Sequence, residues 1–198
     1  MNPIVLDNIL PISFSSRIFN TLTDINFNWH YNNHISYPDK NITDNFLKND
    51  SNIVETGAFV HRLYVDVNDE YIKSNYYEII HPLFYFVEKE TNLQIKKINR
   101  VRAVFAPKDF EFKNKYNVPH IDDVEPHITM IYYVNESNGA TLLFEEKYSK
   151  DIDCSKKTPK HYIEAKKGRL LIFDGLTYHT GMIPTNNKLL INSNFSVF

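Results

Sequence analysis

Apolar and polar positions along this chain follow a helical period at first and a strand period later. From Pro11 to about Leu22, Ile12, Phe19 and Leu22 can share one face, and Asp24 and Asn26 follow as breakers, which predicts a short helix. Residues from about Asn28 to Ser51 are rich in Asn, Asp, Ser and Pro and carry little periodicity, so a long irregular segment is expected, of the kind that often forms lids or binding loops. Phe59 to Val67 alternates as a strand does. Ser74 is placed to cap a helix over roughly Asn75 to Glu90, with Tyr77, Ile80, Phe84 and Val87 towards the core and Pro82 as a kink or break.

Beyond that helix the period becomes two. Leu93 to Ala106, Pro126 to Asn135, Ala140 to Phe144, His161 to Ala165, Arg169 to Phe173 and Lys188 to Val197 read as strands. Short polar turns such as Glu136-Ser137-Asn138-Gly139 and Asp174-Gly175 separate them. Helices followed by a run of strands predict an α+β, mainly β architecture, with N-terminal helices buttressing a sandwich or barrel. The 198 residues suit a single domain, and no linker divides them. Residues 1–92 are expected to form supporting helices and loops, and residues 93–198 the strand-built core.

Composition narrows the function classes. The 13 tyrosines and 14 phenylalanines fit packing on pleated surfaces, and only 5 glycines without internal repetition argue against a repeat array. A net charge of -2 provides no global field for a phosphate backbone, so nucleic acid is a disfavoured partner. Lys96, Lys97, Arg100 and Arg102, and again Lys156, Lys157, Lys160, Lys166 and Lys167, form local basic runs that read as solvated strand ends or loops; a groove for an anionic substrate stays open. Cys154 is the only cysteine, which rules out an intramolecular disulfide and a cysteine-rich zinc site. The start lacks the pattern of a signal peptide, and no apolar run is long enough to span a membrane, so a reducing, cytoplasmic compartment is expected. Oligomeric state is not legible.

The informative chemistry begins at Val118-Pro119-His120-Ile121-Asp122. On an extended chain His120 and Asp122 point the same way and can grip one ion, although such a pair is common by chance. Downstream, the apolar strand from Arg169 to Phe173 leads through Asp174-Gly175 to His179. Two imidazoles and one carboxylate with open positions make the iron(II) facial triad, and the same donors also suit zinc in a hydrolytic geometry. Lys188 then opens an otherwise apolar strand. Pointing outward it is a solvated strand end; pointing inward it needs an anionic partner, such as the carboxylate of a dicarboxylate co-substrate.

The ordered set His120-Ile121-Asp122, Ile131-Tyr132-Tyr133-Val134-Asn135, Gly139-Ala140-Thr141-Leu142, Leu170-Leu171-Ile172-Phe173, His179 and Lys188 resembles the prolyl-4-hydroxylase-like branch of the iron(II)- and 2-oxoglutarate-dependent oxygenases, over about residues 94 to 198. The resemblance implies a double-stranded β-helix of the jelly-roll or cupin type. It implies that His120, Asp122 and His179 hold Fe(II), and that Lys188, Tyr133, Leu142 and Asn192 line the site of 2-oxoglutarate, consumed with molecular oxygen. It also implies release of succinate and carbon dioxide and hydroxylation of a peptide, prolyl or small-molecule substrate. Lysine stands where many relatives carry arginine, and a point charge replaces a bidentate fork. The intact Asp122 points to hydroxylation, since similar halogenating members lack this carboxylate.

If Tyr133 faces the pocket, then Ile131, Thr129 and His127 share its side of the strand and Tyr132 packs away from it. His127 is thus a candidate substrate residue and equally a structural histidine. Arg100 and Arg102 share a strand face and are candidates at the pocket mouth. Two rival readings are a metal-binding jelly roll without oxygenase activity and a structural jelly-roll protein with a tyrosine-rich contact surface. Neither has a use for Lys188 together with Tyr133.

Overall fold

The computed structural model describes residues 1–35, 40–67, 70–148 and 158–198; Cys154, Lys156, Lys157 and part of the 28–51 segment lie outside them. The first half contains β1 (Ile4–Leu6), α1 (Ile12–Leu22), β2 (His30–Asn32), α2 (Lys40–Asn49), β3 (Ile53–Val54), β4 (Ala58–Val67), β5 (Glu70–Lys73), α3 (Tyr77–Ile80) and α4 (Pro82–Thr91). The second contains β6 (Ile95–Ala106), β7 (Tyr116–Asn117), β8 (Ile128–Tyr133), β9 (Ser137–Lys147), β10 (Pro159–Ala165), β11 (Leu170–Asp174), β12 (Thr177–Gly181) and β13 (Lys188–Val197).

The helices form largely where the apolar period places them. In α1 the buried seam passes through Ile18 and Leu22, with Phe14 packed beside them; Ile12, expected on that face, is 87 % exposed. Positions 14, 18 and 22 lie four apart and stack on one side of a helix, whereas Ile12 in the first turn is rotated away. Pro82 divides the second helical region. It has no N–H to continue α3 and its ring suits the first turn of a new helix, so α3 stops at Ile80 and α4 starts at Pro82. Ser74, expected as the cap, instead makes a turn ahead of α3, whose N-cap is Tyr76 without a side-chain cap: the Ser74 carbonyl accepts from the Tyr77 N–H at 3.0 Å and its hydroxyl from the Tyr76 N–H at 3.3 Å. Tyr77, Ile80, Phe84 and Val87 are all buried.

The main sheet runs β1-β11-β8-β13-β6-β4-β2, with β5 paired to β4; a three-stranded sheet runs β10-β9-β12, and β3 pairs with β7. The main sheet therefore takes strands from both sides of residue 93. Its outer face carries Leu189, Ile191, Phe195, Met130 and Tyr132 against Ile18, Leu22, Leu83 and Val87 of the helices. Its inner face meets the small sheet through Ile131, Tyr133, Leu171, Phe173 and Leu190 on one side and Leu143 and Ala165 on the other. Each of the Leu, Ile and Phe side chains contributes roughly 1.5–3 kcal/mol by leaving water. Two facing sheets closed over an apolar layer, with helices on the outside, make the jelly-roll, double-stranded β-helix architecture. No helix among the described residues is long and apolar enough to cross a membrane.

Alternation along β13 sets up the site. Leu189, Ile191 and Phe195 pack outward, while Lys188, Leu190, Asn192 and Asn194 take the opposite side, towards the small sheet. Three polar groups are thereby carried inside the barrel on a strand that is buried along most of its length.

Candidate metal centre

His120 and His179 come together through the backbone. His179 lies in β12, a strand not foreseen from the sequence, and bridges His120 antiparallel: the His120 N–H donates to the His179 carbonyl at 3.0 Å and the His179 N–H to the His120 carbonyl at 2.9 Å. Their ring centroids are 4.6 Å apart. Each Nδ1 is held by the carbonyl two residues earlier, Val118 for His120 at 3.1 Å and Thr177 for His179 at 3.2 Å. An Nδ1–H donated to a carbonyl leaves Nε2 as the lone pair for a metal. The Nε2 of His179 is buried with no hydrogen-bond partner and lies 3.8 Å from Asp122 Oδ2. One donor atom from each of His120, Asp122 and His179 lies within 4.8 Å of the others.

Electrostatics favour the ligating protonation states. Burial pushes the His120 imidazole down to about 3 and lowers that of His179, so both are neutral near pH 7. Burial alone would raise the Asp122 carboxyl, but Arg102 and Arg100 outweigh it and hold the group well below the usual carboxylate range. Both guanidiniums reach Asp122 Oδ1, at 2.8 Å from Arg102 and 2.9 Å from Arg100. Asn194 and Asn192 donate to Oδ2 at 3.0 and 3.2 Å.

The histidines open onto a cavity of about 210 Å³ between the sheets. Ile131, Val104 and Leu190 provide its apolar wall, and Thr141, Asn192 and Lys188 its polar groups. Lys188 is 5 % exposed, and its ammonium donates to the Gly139 carbonyl at 2.8 Å. No acidic side chain among the described residues pairs with it. Loss of hydration lowers it to about 8. A Cβ on Gly181 would stand 3.1 Å from its Nζ, so the absence of a side chain there makes room for the ammonium.

The remaining site expectations separate. Asn192 lines the cavity, though its amide N–H is turned to Asp122 and its buried Oδ1 has no partner among the described residues. Tyr133 is fully buried and lies behind the wall, its hydroxyl donating to the Thr141 hydroxyl at 2.7 Å. Thr141, not singled out from the sequence, is the hydroxyl at the cavity. Leu142 faces the other way and packs with Phe144 and Tyr178, because neighbouring strand residues point to opposite sides. His127 does not line the cavity: its Nδ1 meets the Glu125 carbonyl at 2.7 Å, its Nε2 the Thr129 hydroxyl at 3.2 Å, and its ring covers Gly175. Arg100 and Arg102, expected at the mouth, are engaged with Asp122, and Arg102 also borders the cavity. Tyr132 packs outward as alternation requires and donates to Ser15 of α1 at 3.1 Å. Tyr31, Asn32, Ile35, Thr56 and Gly57 of the N-terminal half and Lys108, Asp109 and Asn117 of the 107–118 segment also line the cavity.

No protein-family model matches the chain, and no curated protein matches it in sequence. Solved structures do match in shape. A prolyl hydroxylase in complex with a hypoxia inducible factor oxygen degradation domain peptide fragment, from Trichoplax adhaerens, superposes with a TM-score of 0.61 at 14 % identity, covering 98 % of this chain and 83 % of that one. An oxidoreductase of the 2OG-Fe(II) oxygenase family from Burkholderia pseudomallei gives 0.66 at 11 % identity, with 98 % and 84 % covered. A Pseudomonas putida prolyl-4-hydroxylase gives 0.56 at 13 % identity, with 98 % and 92 % covered. Over nearly its whole length, then, this chain has the fold of the 2OG-Fe(II) oxygenases and prolyl hydroxylases.

Proposed function

We propose that the protein is an iron(II)- and 2-oxoglutarate-dependent oxygenase that hydroxylates a peptide or small-molecule substrate. One observation carries the reading: two neutral imidazoles border the cavity that also holds a buried lysine ammonium without an acidic partner among the described residues, and an ionised carboxylate lies beside those imidazoles. The donor chemistry fits a hard or borderline divalent ion, and the unpartnered Nε2 of His179 marks where it would sit. His120, Asp122 and His179 would hold the iron, and the neutral form of both histidines means that no proton need be released to do so. Lys188 would pair with the far carboxylate of 2-oxoglutarate, and Thr141 would offer that end of the co-substrate a hydroxyl. When bound, iron and 2-oxoglutarate together supply oxidative decarboxylation to succinate and carbon dioxide, with oxygen as the oxidant for a C–H bond of the substrate. The chain's own work is to orient these groups and to keep the cavity dry with Ile131, Val104 and Leu190. Prolyl peptides are the first substrate class to screen, on the similarity of fold to prolyl hydroxylases.

The test is succinate formation by anaerobically purified, iron-loaded protein on admission of oxygen, with 2-oxoglutarate binding read by calorimetry in the same samples. Wild type should bind 2-oxoglutarate, and substrate-uncoupled turnover should vanish in Asp122→Ala. Lys188→Ala should bind the co-substrate at least tenfold more weakly, the loss of a buried charge pair amounting to about 2–5 kcal/mol. Wild type that neither binds nor turns over 2-oxoglutarate would reduce the site to a metal-binding jelly roll.

A further inference from the structure

The two histidines are fixed by their backbone bridge, but Asp122 lies on the loop between β7 and β8 and takes its hold from elsewhere. Its carboxylate rests on a patch of four side chains on the inner face of the main sheet. Arg102 stands opposite Asn192 and Arg100 opposite Asn194 in the β6–β13 register, so two cross-strand pairs, two residues apart on each strand, present three N–H donors and the Arg100 cation to one carboxylate. We infer that Arg100 and Arg102 are positioning residues, holding Asp122 through Oδ1 so that Oδ2 is the oxygen offered to the metal. This rests on the reading of His120, Asp122 and His179 as a metal site.

The division between the two oxygens follows from the contacts. Oδ2 accepts from two amides, at 3.0 and 3.2 Å, whereas Oδ1 accepts from Arg102 at 2.8 Å and is paired at 2.9 Å with the Arg100 guanidinium, whose own N–H donates to the Asp122 main-chain carbonyl at 3.4 Å. A cation arriving between the ligands must displace a donor. The two cationic contacts on Oδ1 are the stronger and shorter, so the neutral amides on Oδ2 yield first. Oδ2 is also the oxygen that lies 3.8 Å from the bare Nε2 of His179. Of the two amides, Asn192 makes the longer contact, and its own Oδ1 has no partner among the described residues. Asn194 is anchored from both sides, accepting from Arg100 Nε at 3.0 Å and donating to the Thr129 hydroxyl at 3.1 Å. Asn192 is therefore the donor that gives way. The buried run His127–Thr129–Asn194–Asp122 explains why His127 sits behind the metal ligands instead of at the substrate.

The sign of the effect on metal affinity tests the inference. Two cations beside a cation site oppose metal binding by Coulomb's law, so an arginine acting through charge alone would give tighter binding when removed. An arginine that aims the ligand would give weaker binding. Mn(II) affinity would be measured by anaerobic calorimetry, and the Co(II) absorption spectrum recorded, for wild type, Arg102→Met, Arg102→Lys, Arg100→Met and Asp122→Ala, with thermal melts as a folding control. Arg102→Met should lose about ten- to a hundredfold in Mn(II) affinity and shift the Co(II) bands towards those of Asp122→Ala. Arg102→Lys, which keeps the charge without the fork, should fall in between. Arg100 is the more exposed of the pair, at 23 % of its side chain against 13 %, so Arg100→Met supplies the same comparison should Arg102→Met not fold. Unchanged or tighter binding in the folded arginine variants would overturn the inference and leave the metal site standing. A wild type that binds neither ion would overturn the metal site, and the inference with it.

Discussion

His120 and His179 exchange both of their backbone hydrogen bonds, at 3.0 and 2.9 Å, and this main-chain pairing sets the two imidazoles side by side. A site built in this way is formed before its ion arrives. Adding Mn(II) to the metal-free protein should therefore leave the far-UV circular dichroism unchanged while raising the melting temperature. At a hundred times the dissociation constant the stabilisation is about 2.7 kcal/mol, or roughly 5–11 °C for a chain of this size. A large gain in ordered structure on metal addition would show instead that the ion assembles the site.

Lys188 combines deep burial with a carbonyl as its hydrogen-bond partner, an arrangement that costs stability until an anion arrives. Lys188→Met keeps the length of the side chain and removes the charge. The ligand-free variant should melt higher than wild type, by about 2–4 °C for each kcal/mol recovered, and should lose 2-oxoglutarate binding. A lower melting temperature would mean that the ammonium stabilises the empty fold.

The same residue sets a pH dependence. Its folded value of about 8 lies below the ordinary 10.5, so between these two pH values the unfolded chain carries a proton that the folded chain has released. The stability contribution of this group therefore rises with pH through that window, and below about pH 8 its full cost is present. Affinity for 2-oxoglutarate should run the other way, falling above pH 8 in calorimetric titrations. Lys188→Arg, charged throughout, should flatten that fall.

Thr141 and Tyr133 share one hydrogen bond, but only Thr141 borders the cavity. Thr141→Val should raise KM for 2-oxoglutarate about tenfold, the equivalent of one hydrogen bond to a charged group. Tyr133→Phe should cost about 1 kcal/mol of stability with little change in KM. A larger KM effect from Tyr133→Phe would place its hydroxyl on the co-substrate directly.

Gly181 is the close neighbour of the ammonium. A methyl group 3.1 Å from Nζ must push Lys188 aside, so Gly181→Ala should weaken 2-oxoglutarate binding while Mn(II) affinity stays within about twofold of wild type, the His179 backbone being held by its bridge to His120. Equal loss of both affinities would show that the strand itself has moved.

Much of this was legible in the chain, and the failures have local causes. The strand carrying Lys188 reads correctly because its outward residues Leu189, Ile191 and Phe195 alternate with polar ones. Strand β12, Thr177–Gly181, is not legible in the sequence because the positions an apolar alternation would fill are His179 and Gly181. Helix α2 was missed within the 28–51 segment because a polar stretch of Asn, Asp and Lys surrounds its apolar anchor Phe46, which packs on Ile53 and Val118 just ahead of His120. In α1, of the expected face Ile12, Phe19 and Leu22, the last two meet the core and Ile12 does not, its place being taken by Phe14 and Ile18.

By itself the sequence determined what depends on neighbours along the chain: which residues alternate, which side chains share a strand face, and that His120, Asp122, His179 and Lys188 are candidates for a metal and anion site. The tertiary structure decided what each inner residue meets. Arg102 opposite Asn192 and Arg100 opposite Asn194 is a matter of strand register between segments about ninety residues apart, and that register turns two expected substrate arginines into partners of Asp122. The fold likewise seats Tyr133 behind Thr141 and His127 behind Thr129. Side-chain direction is a local property with period two, whereas the identity of the group across the gap is set by which strands pair and in what register.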